Sequence, residues 1–97
     1  MNFEPLSRDL NVIKYVQRRC VKVVEYNTKR IRRDKSFLSL YPQDSNKSKK
    51  LQKSIEHCEL ELSEAQKWLG FYEVWVQNPT EENFYRLRVR LKYLSFV

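Results

Sequence analysis

Residues 51–76 read LQKSIEHCELELSEAQKWLGFYEVWV. Within that stretch Leu51, Ile55, Cys58, Leu62, Ala65, Leu69, Tyr72 and Val76 recur at steps of 4-3-4-3-4-3-4. All are apolar or small, and only a helix brings such positions onto one face. A seam held over more than three heptads is the pattern of a helix packed lengthwise on another. The spacing predicts a helix from about 46 to 77. Its limits are Tyr41-Pro42-Gln43-Asp44-Ser45-Asn46 before it and Gln77-Asn78-Pro79-Thr80 after it, both rich in turn formers. The only glycine, Gly70, falls inside this helix and is expected at a close approach between helices, at a cost of ~1 kcal/mol in propensity.

Upstream, Ile13, Cys20, Val24, Ile31 and Leu38 follow a similar seam, with Val16 or Gln17, Asn27 and Asp34 filling its other steps. Val21-Lys22-Val23-Val24 is β-branched and has strand character. Residues 7–41 contain no Gly and no Pro, however, and match the middle segment in length, which favours a helix over about 8–41. Each helix would run ~50 Å at 1.5 Å per residue. Folding the two about Pro42 pairs residues whose numbers sum to 89: Leu38 with Leu51, Asp34 with Ile55, Ile31 with Cys58, Asn27 with Leu62, Val24 with Ala65 and Cys20 with Leu69. One register gives most layers an apolar partner, as an antiparallel helical hairpin requires. It also brings Arg18, Arg19 and Lys22 toward Glu56, Glu59, Glu61 and Glu64, and sets Cys20 and Cys58 ~16 Å apart along the axis, too far for a disulfide.

The last segment admits two readings. Phe84, Leu87, Leu91 and Leu94 fit a helix face, whereas residues 86–93 alternate basic and apolar or aromatic like a strand. Thr80 followed by Glu81 and Glu82 is a helix start, so a third helix over about 81–95 is favoured. Running back along the second helix, it would bring Phe84 to Trp75, Leu87 to Phe71 or Tyr72, and Leu91 to Trp68. The expected architecture is all-α: one domain, a three-helix bundle at one end, and residues 28–58 projecting as a two-helix tip.

Composition narrows the function. The 97 residues carry one Gly, which argues against a phosphate loop or a dinucleotide fingerprint, each of which uses glycine for close backbone approach. Aromatics at 13% argue against full disorder. Two cysteines and one histidine are too few for a structural zinc site. His57 and Cys58 are adjacent on a helix and point ~100° apart, so they make no nucleophile–base pair. Glu56, Glu59, Glu61 and Glu64 read as a solvated face. No enzyme, cofactor or metal is expected. With no signal-like leader and no long apolar run, an intracellular, reducing, cytoplasmic setting is expected, or a nuclear one in a eukaryote.

Charge supplies the lead. Residues 1–53 hold 14 Lys plus Arg against 5 acids, a net +9, while residues 54–97 hold 5 against 7, a net −2. Lys29, Arg30, Arg32, Arg33 and Lys35 precede the turn; Lys47, Lys49, Lys50 and Lys53 follow it. Folding at Pro42 gathers them at one end. Such a concentration suits a phosphate backbone, which it binds by releasing counterions. Ser45, Asn46 and Ser48 would add neutral hydrogen bonds, and Phe37 and Tyr41 would stack on bases or plug the loop. The expected function is a small non-enzymatic binding protein whose basic tip contacts nucleic acid or a nucleoprotein complex. The alternative is a protein–protein module, an adaptor or small inhibitor of a larger machine, facing an acidic protein surface with Trp68, Tyr72, Trp75 or Tyr93 exposed as anchors. The polar layers at Asn27 and Asp34 raise a further expectation, a homodimer that covers both seams.

Overall fold

The computed structural model describes residues 3–97. Two helices of equal length, α1 (Ser7–Leu38) and α2 (Asn46–Gln77), are followed by α3 (Glu81–Arg90) and a 3-10 turn, Leu91–Tyr93. The fold is all-α, with no strand among the described residues, and α1 and α2 pack antiparallel as a hairpin 62 Å in its longest dimension. No helix among the described residues is long and apolar enough to cross a membrane.

Local chemistry sets the ends. The α1 helix stops at Leu38, three residues short of the expected limit. There the Ser39 hydroxyl donates to Ser36 O at 2.7 Å, and the Leu40 and Tyr41 N–H groups turn to Phe37 O and Leu38 O. Serine competing for backbone acceptors and i−3 bonding together close the helix. At the start of α2, the Ser45 hydroxyl accepts the Ser48 N–H at 3.1 Å. At the start of α3, Thr80 Oγ1 accepts the Asn83 N–H at 3.2 Å, with Glu81 and Glu82 in the first turn as the sequence implies.

The α3 helix ends sooner than the expected 95, for a tertiary reason. An unbroken α-helix would offer Leu87 O to the Leu91 N–H. Instead Leu87 O accepts Trp68 Nε1–H at 3.2 Å, and the Leu91 N–H bonds Arg88 O. The buried indole needs an acceptor, and the helix tightens into a 3-10 turn where it finds one.

The seam register agrees with the hairpin pairing to within a residue. Asn27 Nδ2 donates to Glu61 Oε1 at 3.4 Å and the Ser54 hydroxyl donates to Asp34 Oδ2 at 3.0 Å, so the polar side chains meet the neighbours of Leu62 and Ile55. The core is concentrated at the end covered by α3. Ile13, Val16, Cys20 and Val23 pack there with Ala65, Trp68, Phe84, Leu87 and Leu94. Phe84 lies 5.4 Å from Trp75, as expected, and 5.7 Å from Phe3. Toward the loop the seam buries Ile55 and Cys58 but also Asn27, Asp34 and Ser48. A fully buried aliphatic side chain contributes ~1.5–3 kcal/mol, so stabilisation from burial is weighted to the three-helix end.

Two expectations are corrected. Gly70 is exposed, and a Cβ placed on it would meet nothing within 4 Å, so no close helix approach explains it. Arg19 and Lys22 do come beside Glu61, at one shallow cavity, but with Arg18 they make no ion pair among the described residues; Glu59 pairs with Lys35, Glu61 bonds Asn27, and Glu64 accepts both the N–H and hydroxyl of Ser95. Trp68 is buried, and Tyr72 and Trp75 are half-buried against it and Phe84, so none of the three is free as an anchor. Of that group only Tyr93 is exposed. Cys20 and Cys58 are both free thiols.

Candidate nucleic-acid interface

The turn after Leu38 brings the two cationic stretches together. Arg30 Nη2 donates to Ser54 Oγ at 3.4 Å across the hairpin. Lys50 is one helical turn from Ser54, so the α1 and α2 clusters face the same end of the molecule. Lys29, Arg32, Arg33, Lys35, Lys47, Lys49, Lys50 and Lys53 are all exposed, and Arg30 is half-buried.

The contacts fix how these charges are distributed round the tip. Arg30–Ser54 and Asn27–Glu61 lie on one flank of the seam, and Lys35–Glu59, at 3.6 Å, lies on the other. Stepping 100° per residue from these anchors puts Tyr26, Arg30, Arg33 and Phe37 with Lys47 and Lys50 on the first flank. Arg32, Lys35 and Lys49 share the second with Glu56 and Glu59. Lys29 and Lys53 sit on the backs of their helices. The nine cations form a collar round the loop end.

Several of these charges are engaged within the chain. Asp34 is buried in the seam and lies 3.7 Å from Arg30 Nε and 3.6 Å from Arg33 Nε. Arg30 also donates to Tyr26 Oη at 2.9 Å, with its guanidinium carbon 6.0 Å from the ring centroid. That hydrogen bond is the main cause holding Arg30 above its ordinary pKa. Lys47 Nζ lies 5.4 Å from the Tyr41 ring, so half-buried Tyr41 is covered rather than offered. Lys29, Arg32, Lys47, Lys49, Lys50 and Lys53 make no ion pair among the described residues. Of the neutral groups expected to help, Ser45 is committed to its cap and to Pro42 O, Ser48 is buried, and Asn46 remains exposed.

Burial pushes the Cys20 thiol up to about 11 and raises Cys58 as well, there against the opposing pull of Arg30. Thiols held protonated in this way are poor nucleophiles. No group of three or more His, Cys, Asp or Glu among the described residues could hold a metal ion. The arrangement can therefore hold anions by charge and donor hydrogen bonds. Tyr26 was missed in the sequence as a member of this surface; its step of four to Arg30 is the signal that would have found it.

No known family model, curated protein or solved structure matches the chain.

Proposed function

We propose that this chain is a small non-enzymatic binding protein that engages the phosphate backbone of nucleic acid with the loop end of its helical hairpin. The observation that carries the reading is the Arg30–Ser54 contact, which joins two cationic stretches distant in sequence into one collar. Six of its nine cations make no ion pair among the described residues and are available to displace condensed counterions. The protein–protein alternative is weakened by the burial of Trp68 and the half-burial of Tyr72 and Trp75. Of the polar layers that suggested a second copy, Asp34 and the Asn27 Nδ2 find partners within one chain, at Ser54 and Glu61, while the buried Asn27 Oδ1 has none.

Fluorescence anisotropy with a labelled oligonucleotide, titrated at several salt concentrations, tests the reading. Affinity should fall with salt at a log–log slope of roughly −0.7 to −0.9 per phosphate engaged. Replacing Lys29, Lys50 and Lys53 together by Gln should shallow that slope by about 2–3. Absence of binding at about 50 mM salt, or a slope indifferent to the triple substitution, would remove the proposal.

A further inference from the structure

We infer that the partner is a single strand of nucleic acid, laid along one face of α1 on a ladder of aromatic rings and cations. This rests on the reading of the basic end as a phosphate-binding surface, and adds the kind of nucleic acid and its path.

The ladder is an 11-residue repeat. Tyr15, Arg19, Lys22 and Tyr26 are spaced 4-3-4, and Tyr26, Arg30, Arg33 and Phe37 repeat the same spacing and the same order of aromatic, cation, cation, aromatic. Eleven residues overshoot three helical turns by only ~20°, so the positions stay on one face of the helix. Of the carboxylates of α1, Asp9 falls toward the seam and Glu25 on the back, while Asp34, buried in the seam, holds Arg30 and Arg33 from beneath. The rings are exposed, at 58% for Tyr15, 59% for Tyr26 and 45% for Phe37. An isolated exposed aromatic needs no explanation, but three at a constant helical interval, each separated by two cations, form a patterned surface.

The spacing suits a strand. Successive rings are ~16 Å apart along the axis, about the rise of five stacked nucleotides at ~3.4 Å each. Two cations in each interval would meet phosphates while each ring takes the face of a base. A duplex keeps its base faces paired and stacked, so exposed rings on a helix would add nothing to its binding. The middle rung is already arranged: Arg30 bonds the Tyr26 hydroxyl and holds that ring. Arg19, Lys22 and Tyr26 also line a shallow cavity with Phe96 and Glu61, and the Glu61 carboxylate there is engaged by Asn27. The flank of α2 beside the lower rungs adds Lys47 and Lys50. An acidic peptide could answer the cations but has no use for rings at this interval.

The test compares a fluorescent oligothymidylate of about 20 nucleotides with a blunt duplex of the same length, with sodium polyglutamate as competitor. Single-strand affinity should exceed duplex affinity by about tenfold or more. Tyr15→Ala and Phe37→Ala should each weaken strand binding about 5- to 100-fold and leave duplex binding within twofold; Tyr26→Ala, which also releases Arg30, should weaken strand binding over the same range. Tyr26→Phe, which keeps the ring, should bind the strand nearly as the parent does, while Tyr26→Leu should not. Because the side chains are exposed, the helical circular dichroism of every variant should match the parent. Equal affinity for strand and duplex, or aromatic variants without effect, would overturn the ladder and leave the phosphate reading standing. No binding of either nucleic acid at low salt would overturn both. Tighter capture of polyglutamate than of the strand would replace the nucleic acid by an acidic protein partner.

Discussion

Replacing Gly70 separates the sequence expectation from the observed fold. A lone glycine within a 32-residue helix invites the idea that backbones meet there, in which case any added side chain would clash. Overpacking of that kind costs ~1–3 kcal/mol and grows with the size of the insertion. The structure instead leaves Gly70 exposed with nothing within 4 Å of an added Cβ. Its φ is not positive, so a side chain meets no backbone strain either. What remains is helix propensity, in which Ala exceeds Gly by ~0.8–1 kcal/mol, and Gln and Leu stand within a few tenths of Ala. All of Gly70→Ala, Gly70→Gln and Gly70→Leu should therefore stabilise the protein. For a domain of this size, 1 kcal/mol shifts Tm by ~4–8 °C, which thermal unfolding followed by circular dichroism resolves easily. A fall in Tm that deepens from Ala to Gln to Leu would refute the reasoning and restore the close approach.

Three further outcomes follow from the packing. Trp68→Phe keeps most of the apolar volume but deprives Leu87 O of its indole donor, so urea unfolding should register a loss of ~1–3 kcal/mol; a change under ~0.5 kcal/mol would mean that the 3.2 Å bond does not end α3 as described. Asp34→Ala removes the acceptor of Ser54 and opens the seam, and should cost ~2–3 kcal/mol, whereas Asp34→Leu regains apolar burial and should stay within ~1 kcal/mol of the parent; equal behaviour of the two in urea would contradict a packed seam at that layer. Cys20 has a native pKa of about 11 against an ordinary 9.0, so the folded state binds its proton more tightly. Its contribution, ~2–3 kcal/mol, is full below about pH 9 and fades as pH rises toward 11. The urea midpoint should accordingly drop more for the parent than for Cys20→Ala between about pH 8.5 and 10.5, and parallel curves would show that Cys20 does not titrate as its burial implies.

What was legible in the sequence was whatever local pattern controls. The 4-3 seam of residues 51–76 dictates α2 because no other backbone aligns those side chains, and Thr80-Glu81-Glu82 starts α3 through its own hydroxyl and charges. The antiparallel register followed from the two seams because a slip would have set apolar layers against solvent. What was not legible depends on contacts between elements. The end of α3 is decided by an indole nineteen residues earlier, which no periodicity within α3 can report. The surroundings of Gly70 depend on which side of α2 receives α3, and the same choice buries Trp68 while leaving Tyr93 in solvent. The cationic stretches could be counted beforehand. Their division into a flank where Asp34 holds Arg30 and Arg33 and one shared with Glu56 and Glu59 needed the phase of α1 against α2. The recurrence of Tyr15, Tyr26 and Phe37 stood in the sequence, but exposure, which makes it a surface, did not.

The buried polar layers take on a purpose when the seam and the surface are considered together. A ladder of rings on α1 needs that helix to stay straight, and fixed in rotation, over the residues from Tyr15 to Phe37. Beneath residues 13–23 the apolar core does this, since Ile13, Val16, Cys20 and Val23 are held by α2 and α3 together. Nearer the loop there is less apolar surface to grip, and a purely aliphatic two-helix seam would tolerate sliding or rotation by one position. Asn27 and Asp34 remove that freedom, because each has one directional partner across the seam, at Glu61 and Ser54. Asp34 also draws Arg30 and Arg33 to the seam edge, which reduces their charge toward solvent but fixes where their guanidinium groups stand. Fixed cations lose less entropy on meeting a phosphate than free ones. The same carboxylate thus sets the register of the hairpin and spaces the cations between Tyr26 and Phe37, at some cost in both stability and net charge.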